Sequence, residues 1–366
     1  MKILYLTTAR HPKDYERFLS QNRIAPNPSN QNFHTKIIDL LSKFETLKVL
    51  SSRPMSKDLF LKEQQKDHYF YPAYVNLPII KRVGIFFGGH KLLTRFKPDY
   101  LFVDVMNQTL LHLARKLKQY HQVKVIGIVT DNPINITGTK KRYSESIFKL
   151  SQTCDAFITL TDGLNQLFNP TLKPSLTIPG FISETIHEPF KKEEYAFFAG
   201  ALYNRYGVGE LIETFKNNNH HLKLLVAGHG PLGSLLTKKS YPNIEFLGQV
   251  SPEIAFQLSK KALVNINPRP VDTQIDKYSV PSKMLDYINS GTITISTQNS
   301  EIKKLVGDDV YWLKDNFPES INQALQDIQT DFDLWTTRAK RAKRNLETSL
   351  SSKEMIVKIK DLMTKI

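Results

Sequence analysis

The hydrophobic positions of this chain fall into short continuous runs separated by segments with helical spacing. Continuous apolar runs predict strands buried on both faces of a parallel sheet. No hairpin signal joins consecutive runs, so the alternation of strand and helix favours a doubly wound α/β architecture. The predicted strands cover residues 2–8, 47–50, 100–103, 123–129, 156–160, 195–200, 222–227, 244–248, 261–266 and 292–296.

The periodic pattern lapses at residues 172–189, where prolines and a glycine lie among polar residues. A chain of 366 residues is too long for one ordinary core, so we place a domain boundary here. In the first domain, residues 11–32 are predicted to form a long polar loop, and His34 an exposed residue in the first turn of the next helix. Residues 331–366 have a basic, helical pattern.

The most informative stretch is 265–296, which predicts a strand end, a polar loop, a short helix, a glycine stop and another strand. Pro281 suits the first turn of a helix, and Ser279 can cap the open backbone donors. Those donors and the Lys283 ammonium would meet at a place that suits a phosphate. Asp286 follows Lys283 on the same helix face. Because a carboxylate and a phosphate repel each other, the Asp286 carboxylate does not suit the phosphate itself. It suits neutral hydroxyls, such as those of ribose.

The motifs Asn-Pro-Arg at 267–269, Tyr-Ser-Val-Pro-Ser-Lys at 278–283 and Asp-Tyr at 286–287 resemble the nucleotide-binding signature of retaining, GT-B-fold glycosyltransferases of family 4. The capsule and exopolysaccharide subgroup is the most similar. The resemblance implies an α/β fold of two Rossmann-like, doubly wound domains facing a cleft. It implies acceptor binding by an N-terminal domain over 1–180, nucleotide-sugar binding by a domain over 181–345, and a C-terminal helix over 346–366 that packs back on the first domain.

The same resemblance assigns the candidate site residues. Catalytic roles are expected for Asp131, Arg205 and Lys283, since a departing diphosphate needs cations and Asp131 could orient the acceptor hydroxyl or contact the sugar. Nucleotide-sugar binding is expected for Gly200, Arg205, Gly228, Gly230, Val250, Arg269, Tyr278, Ser282, Lys283, Asp286 and Glu301.

Five positions depart from the family pattern. Asp286 is one methylene shorter than the usual glutamate, and Tyr206 stands where a lysine is common. Thr130 stands where many members have a histidine, Ala201 where they have an arginine, and Tyr278 where the broader family has its first acidic residue. Two hypotheses follow. The first is a retaining hexosyltransferase that uses a nucleoside diphosphate sugar, with UDP expected from the family, and a carbohydrate or lipid-linked acceptor in bacterial polysaccharide or glycan synthesis, without cofactor or metal. The alternative is a catalytically inactive scaffold of another transferase. A dehydrogenase is disfavoured because no G-x-G-x-x-G follows the first strand.

The net charge of +15 raises the question of partners. It fits an anionic membrane surface, or solubility together with attraction for an anionic substrate; no motif supports nucleic acid. Lys81, Arg82, Lys91 and Arg95 flank an apolar segment in a predicted helix over 81–96, which could lie in a membrane interface. With a single cysteine, no signal peptide and no membrane span, we expect a cytoplasmic protein, or one on the inner face of the cell membrane.

Overall fold

The computed structural model describes residues 1–21, 28–52, 58–77, 80–136, 140–182, 191–216, 222–239 and 241–366. The chain divides into two compact units. The first unit contains residues 1–178 and 355–366, and the second contains residues 179–354.

The described part of the first unit contains an eight-stranded sheet in the order β10-β9-β8-β7-β1-β2-β5-β4 and a separate pair, β3 and β6. All neighbours in the large sheet are parallel except β4 and β5. The strands are β1 Lys2–Thr7, β2 Thr46–Ser51, β3 Phe60–Leu61, β4 Gln64–Lys66, β5 Tyr69–Tyr71, β6 Tyr74–Val75, β7 Tyr100–Asp104, β8 Lys124–Val129, β9 Ala156–Thr159 and β10 Ser175–Thr177. The helices before the boundary are α1 Pro12–Gln21, α2 Pro28–Ser42, α3 Ile80–Phe96, α4 Gln108–His121, α5 Lys141–Ser151 and α6 Asp162–Phe168.

The predicted loop over 11–32 is wrong, because α1 and the start of α2 occupy most of it; residues 22–27 lie outside the described ranges. Tertiary contacts hold α1: Asp14 accepts hydrogen bonds from Lys66 Nζ at 2.7 Å and from Tyr71 Oη at 3.0 Å. The expected exposure of His34 is also wrong, since its side chain is fully buried between Tyr5 and Asp104. These partners are distant in sequence, so local pattern did not reveal them.

The second unit contains a parallel sheet of six strands among its described residues, in the order β13-β12-β11-β14-β15-β16. Its strands are β11 Glu193–Ala201, β12 Lys223–His229, β13 Ile244–Gly248, β14 Ala262–Asn267, β15 Ile293–Thr297 and β16 Tyr311–Leu313. Its helices are α7 Val208–Lys216, α8 Pro231–Lys238, α9 Pro252–Lys261, α10 Thr273–Tyr278, α11 Ser282–Asn289, α12 Ser300–Val306, α13 Pro318–Thr330 and α14 Phe332–Leu350.

The predicted α/β class with parallel, Rossmann-like sheets is confirmed. The tail that we treated as one helix over 346–366 consists of the end of α14 and a last helix, α15, Ser352–Thr364. Within the first unit, the hydroxyl of Tyr100 donates to the Met363 carbonyl at 3.0 Å. None of the helices in the described ranges is long and apolar enough to cross a membrane.

Candidate nucleotide-sugar site

The second sheet has its topological switch point between β11 and β14. The chain runs from β11 outward to β12 and β13, then returns to β14 on the other side of β11. In open parallel sheets, ligands bind beyond the carboxyl ends of the strands at such a point. The segments that follow the two strands touch here: Gly207 has a φ of +74°, and a Cβ on it would lie 1.7 Å from the Pro268 carbonyl oxygen. Only glycine fits this approach.

Three glycines line the carboxyl ends of β11 and β12. Gly200 and Gly228 are register partners, and Gly228 and Gly230 have φ values of +143° and +149°. A Cβ on Gly228 would lie 1.8 Å from the Gly200 carbonyl oxygen, and one on Gly230 would lie 2.5 Å from the Leu202 carbonyl oxygen. The structure therefore brings together Gly200, Gly228 and Gly230, which the sequence assigned to one site.

Helix α11 is fixed to the sheet beneath it. The Tyr287 hydroxyl accepts a hydrogen bond from the Ala199 amide at 2.8 Å, and Met284 Sδ accepts one from Ser296 Oγ at 3.1 Å. Because Tyr287 and Met284 are both buried, these contacts set the position of the helix. Its N-terminus consequently opens at the carboxyl end of the sheet, beside the switch point.

The cap of α11 differs from the expectation. Pro281 is itself the N-cap and makes no side-chain capping bond, so Ser279 does not cap the helix. The Ser279 hydroxyl oxygen instead accepts hydrogen bonds from the Arg269 guanidinium at 3.3 and 3.4 Å. The Ser279 carbonyl accepts a hydrogen bond from Asn299 Nδ2 at 3.2 Å. The Met284 amide donates to the Pro281 carbonyl at 2.9 Å, so the amides of Ser282 and Lys283 are the donors that the first turn of α11 leaves for a ligand.

The three expected phosphate-binding cations differ in their surroundings. Arg205 is exposed in a 3-10 helix, Asn204–Tyr206, with its guanidinium 5.1 and 5.0 Å from the ring centres of Tyr203 and Tyr206. Lys283 is half-buried in the first turn of α11. Within the described ranges, neither Arg205 nor Lys283 forms a salt bridge.

Arg269 is already engaged by its own chain. Besides Ser279, its Nε lies 3.9 Å from Asp276 Oδ1. Burial raises the pKa of Asp276, and the facing Arg269 opposes that shift. The polar loop expected after Arg269 contains α10, whose N-cap Asp272 accepts hydrogen bonds from the amides of Gln274 and Ile275. Arg269 therefore connects α10, through Asp276, to Ser279.

The remaining candidates occupy the same edge of the sheet. Ser282 is exposed in the first turn of α11, and Asp286 is half-buried one turn after Lys283. Tyr278 ends α10, and Val250 follows β13 and packs on the core beside Tyr287. Glu301, which is expected to bind the nucleotide sugar, is buried in α12, and its carboxylate lies 3.2 Å from Lys304 Nζ.

Asp131 and Thr130 lie in the first unit, at the carboxyl end of β8. Asp131 Oδ1 accepts a hydrogen bond from the Asn132 amide at 2.8 Å. Burial raises the pKa of Asp131, and that hydrogen bond opposes the shift only in part. Thr130 Oγ1 donates to Asn30 Oδ1 at 2.9 Å, so the position where the resemblance led us to expect a histidine is hydrogen-bonded to α2.

A buried polar network that was not predicted from the sequence lies at the switch point of the first sheet, between β1 and β7. Asp104 is 1% exposed; its Oδ2 accepts hydrogen bonds from Thr8 Oγ1 at 3.1 Å and Asn30 Nδ2 at 3.3 Å, and it lies 3.5 Å from His34 Nε2. The Tyr5 hydroxyl lies 2.6 Å from His34 Nδ1. Burial alone would raise the pKa of Asp104, but His34 and the hydrogen bonds lower it. In the sequence, the only sign of this role for Asp104 is its position directly after the apolar run at 100–103.

This network forms one wall of a pocket of about 240 Å³ in the first unit. The hydroxyl of Tyr15 is buried without a hydrogen-bond partner among the described residues, which leaves it available to a ligand. The lining combines aromatic and apolar side chains with a few polar groups, which is typical of small-molecule sites. The lining residues are Thr8, Ala9, Arg10, Tyr15, Phe18, Asn30, Gln31, Asp104, Met106, Ile136 and Tyr143.

Comparison with known proteins defines the class of this architecture. Residues 193–331, which contain every candidate of the second unit, match the family described as glycosyl transferases group 1. The complete chain has the GT-B fold of solved glycosyltransferases. It is therefore a GT-B-fold protein, and the match to the family model covers residues 193–331, within its second unit.

The individual structures that the chain resembles are distant in sequence. Sucrose-phosphate synthase from Thermosynechococcus elongatus has a TM-score of 0.66 at 10% identity, over 100% of this chain and 99% of that one. HepE from Anabaena, solved in complex with UDP, has a TM-score of 0.68 at 11% identity over 100% of both chains. The lipopolysaccharide outer core galactosyltransferase WaaB, in its apo form, has a TM-score of 0.66 at 12% identity over 99% of both chains. A comparison with curated protein sequences found no match.

Proposed function

We propose that this protein is a retaining glycosyltransferase that moves a sugar from a nucleoside diphosphate sugar to a hydroxyl of a carbohydrate or lipid-linked acceptor in bacterial glycan synthesis. One observation carries the proposal: Arg205 and Lys283 form no salt bridge within the described ranges, yet they follow β11 and β14, the two strands that flank the switch point. Two such cations beside an open helix N-terminus suit a diphosphate. UDP is the expected nucleotide because HepE was solved with UDP.

In the proposed reaction, the bond between the anomeric carbon of the sugar and the diphosphate breaks while the acceptor oxygen bonds to the same face of that carbon. The acceptor proton passes to the departing phosphate oxygen, so no dedicated general base is required. Arg205, Lys283 and the N-terminus of α11 stabilise the charge that develops on the diphosphate, the largest contribution in chemistry of this kind. Asp286 accepts hydrogen bonds from the ribose hydroxyls. Neither cofactor nor metal takes part.

We assign the acceptor to the pocket in the first unit. Its volume of about 240 Å³ is below the range of about 300–1,000 Å³ that is typical of drug-sized ligands, so it suits a single sugar ring better than a nucleotide sugar. Asp104 stays ionised because its pKa is lowered, and it holds Asn30 and Thr8 in place at the wall of the pocket. Asp131, at the end of the neighbouring strand, is the candidate to orient the reacting hydroxyl.

Calorimetry against UDP, GDP, ADP and inorganic pyrophosphate tests the donor assignment. We expect one nucleoside diphosphate to bind more tightly than pyrophosphate, with unchanged affinity in EDTA. NMR of the product from the matching nucleotide sugar and a panel of sugar acceptors should show the anomeric configuration of the donor. Nucleotide binding without transfer or donor hydrolysis would support the scaffold alternative. Failure to bind any of the nucleotides would refute the proposal.

A further inference from the structure

Helix α1 contributes no buried side chain to the core over residues 12–18, the part of the helix whose side chains are described. Asp14, Tyr15 and Phe18 are half-buried on one face, whereas Glu16 lies on the opposite face and is exposed. Most helices in folded proteins are held in place by the packing of an apolar face. The position of α1 therefore depends on the polar contacts that it makes.

The polar contacts of α1 meet at the hydroxyl of Tyr71. This hydroxyl accepts a hydrogen bond from the His11 amide at 2.9 Å and donates one to Asp14 Oδ2 at 3.0 Å. The other carboxylate oxygen, Asp14 Oδ1, accepts a hydrogen bond from Lys66 Nζ at 2.7 Å. Burial raises the pKa of Asp14, but the hydrogen bonds from Lys66 and Tyr71 outweigh this effect and hold the pKa below its ordinary value. The Tyr71 hydroxyl thus connects the residue before α1 to the first turn of the helix.

Tyr71 is itself fixed in the large sheet. It ends β5, which pairs with β2 on one side and with β4 on the other. Its side chain is 3% exposed, and its ring stacks on that of Tyr69 with 6.4 Å between the ring centres. Because Lys66 is the register partner of Tyr69, Lys66 and Tyr71 project from the same face of the β4–β5 pair. This pair of strands therefore holds α1 to the sheet.

The face of α1 that carries Asp14 also forms part of the pocket in the first unit. Tyr15 and Phe18 line the pocket, and the Arg10 guanidinium lies 4.4 Å from the ring centre of Phe18. The chain before the helix is fixed separately, since the Gln31 side chain accepts a hydrogen bond from the Arg10 amide and donates one to the Arg10 carbonyl, both at 2.8 Å. Tyr15 and Phe18 lie beyond this anchor, so their places in the pocket wall depend on the position of α1.

We propose that Tyr71 is a positioning residue for the acceptor. Through Asp14, its hydroxyl holds α1 where Tyr15 and Phe18 complete the wall of the pocket. Tyr71 is not among the residues that line the pocket, so it acts on the acceptor only through the helix. The inference rests on the proposed acceptor role of this pocket and is independent of the donor site in the second unit.

Ligand-observed NMR on the full chain, with the methyl glycosides of glucose, galactose, mannose, N-acetylglucosamine and glucuronic acid as probes, measures acceptor binding. We expect at least one glycoside to bind the wild type. Its dissociation constant should be about tenfold higher in Tyr71→Phe, which keeps the ring and removes the hydroxyl. Tyr69→Phe is the matched control on the same strand. The Tyr69 hydroxyl has no hydrogen-bond partner among the described residues, so its removal should change the affinity less than about twofold.

Two further measurements separate positioning from a general loss of structure. Calorimetry with UDP should give the same donor affinity, to within about twofold, in the wild type and both tyrosine variants. With a glycoside that is also glycosylated, Tyr71→Phe should raise the KM for that acceptor while kcat stays within about threefold.

Hydrogen exchange of the α1 amides tests the contacts of the helix without any ligand. Exchange should be about tenfold faster in Tyr71→Phe and in Asp14→Ala, while β1 and β7 keep their wild-type protection. Glu16→Ala is the control for Asp14→Ala, because it removes the same charge from the exposed face of α1. Exchange in this control should stay within about twofold of the wild type.

Unchanged glycoside binding in Tyr71→Phe, equal losses in the two tyrosine variants, or no glycoside binding to the wild type would overturn the proposal. Faster exchange in β1 and β7 of Tyr71→Phe would also overturn it, because the substitution would then act on the whole unit. If the wild type binds no UDP and Tyr71→Phe alone weakens glycoside binding, the donor proposal is refuted and the positioning role of Tyr71 is supported.

Discussion

Replacing Lys283 by alanine removes a half-buried ammonium from the first turn of α11 without breaking a salt bridge among the described residues. A hydrogen bond between a charged donor and a charged acceptor contributes about 1.5–3 kcal/mol. We therefore expect the dissociation constant of the preferred nucleoside diphosphate to rise roughly 10- to 150-fold. Stability should change by less than about 0.5 kcal/mol, because alanine is a good helix former and no partner is left unpaired.

Isothermal titration calorimetry with the wild type, Lys283→Ala and Arg205→Ala measures this effect, and Lys340→Ala on α14 is a control of equal charge. If both cations bind the same diphosphate, the double variant should lose less affinity than the sum of the single losses, with a coupling of about 0.5–3 kcal/mol. If the losses of binding free energy were strictly additive, Arg205 and Lys283 would bind different groups of the ligand. An unchanged dissociation constant in a folded Lys283→Ala variant would refute its role.

Three further predictions concern other parts of the molecule. Asp286→Asn should weaken nucleoside diphosphate binding while inorganic pyrophosphate binding stays within twofold, as calorimetry with both ligands would show; equal effects would exclude ribose recognition. Gly228→Ala should lower the free energy of unfolding by about 2–5 kcal/mol, because its positive φ and a backbone clash both oppose a Cβ. The control Gly307→Ala has φ +58° and open space around it, so it should lower the free energy of unfolding by only about 1 kcal/mol. Urea titrations measure both changes. Asp104→Asn should destabilise by about 1–3 kcal/mol at pH 7. Its carboxylate has a lowered pKa and faces His34, so its stabilisation should be complete above the unfolded pKa of about 4 and should fade as the pH drops through the folded value.

Features that depend on neighbouring residues could be predicted from the sequence. The apolar runs at 123–129 and 222–227 locate β8 and β12 to within two residues, because a strand covered on both faces has few polar positions. The turn at Gly228 and Gly230 could also be predicted, since the motif that contains it is short and contiguous. These features reflect local conformation.

Features set by distant partners could not be predicted. The burial of His34 depends on Asp104, seventy positions later, and the tethering of Arg269 depends on Asp276, which lies in a helix that was expected to be loop. Strands as short as β3 and β6, with two residues each, show no alternation to recognise.

The hydrogen bond between Tyr287 and the Ala199 amide has a consequence for how this protein could acquire a different donor specificity. It fastens α11 to β11 from inside the core, so a substitution that moves the helix must also disturb two neighbouring strands. Variation that changes the nucleotide or the sugar is therefore confined to exposed segments, such as the Arg205 turn and α10. If α11 binds the phosphates as proposed, its position would stay fixed while the segments around it change, and a new donor specificity would come from those segments.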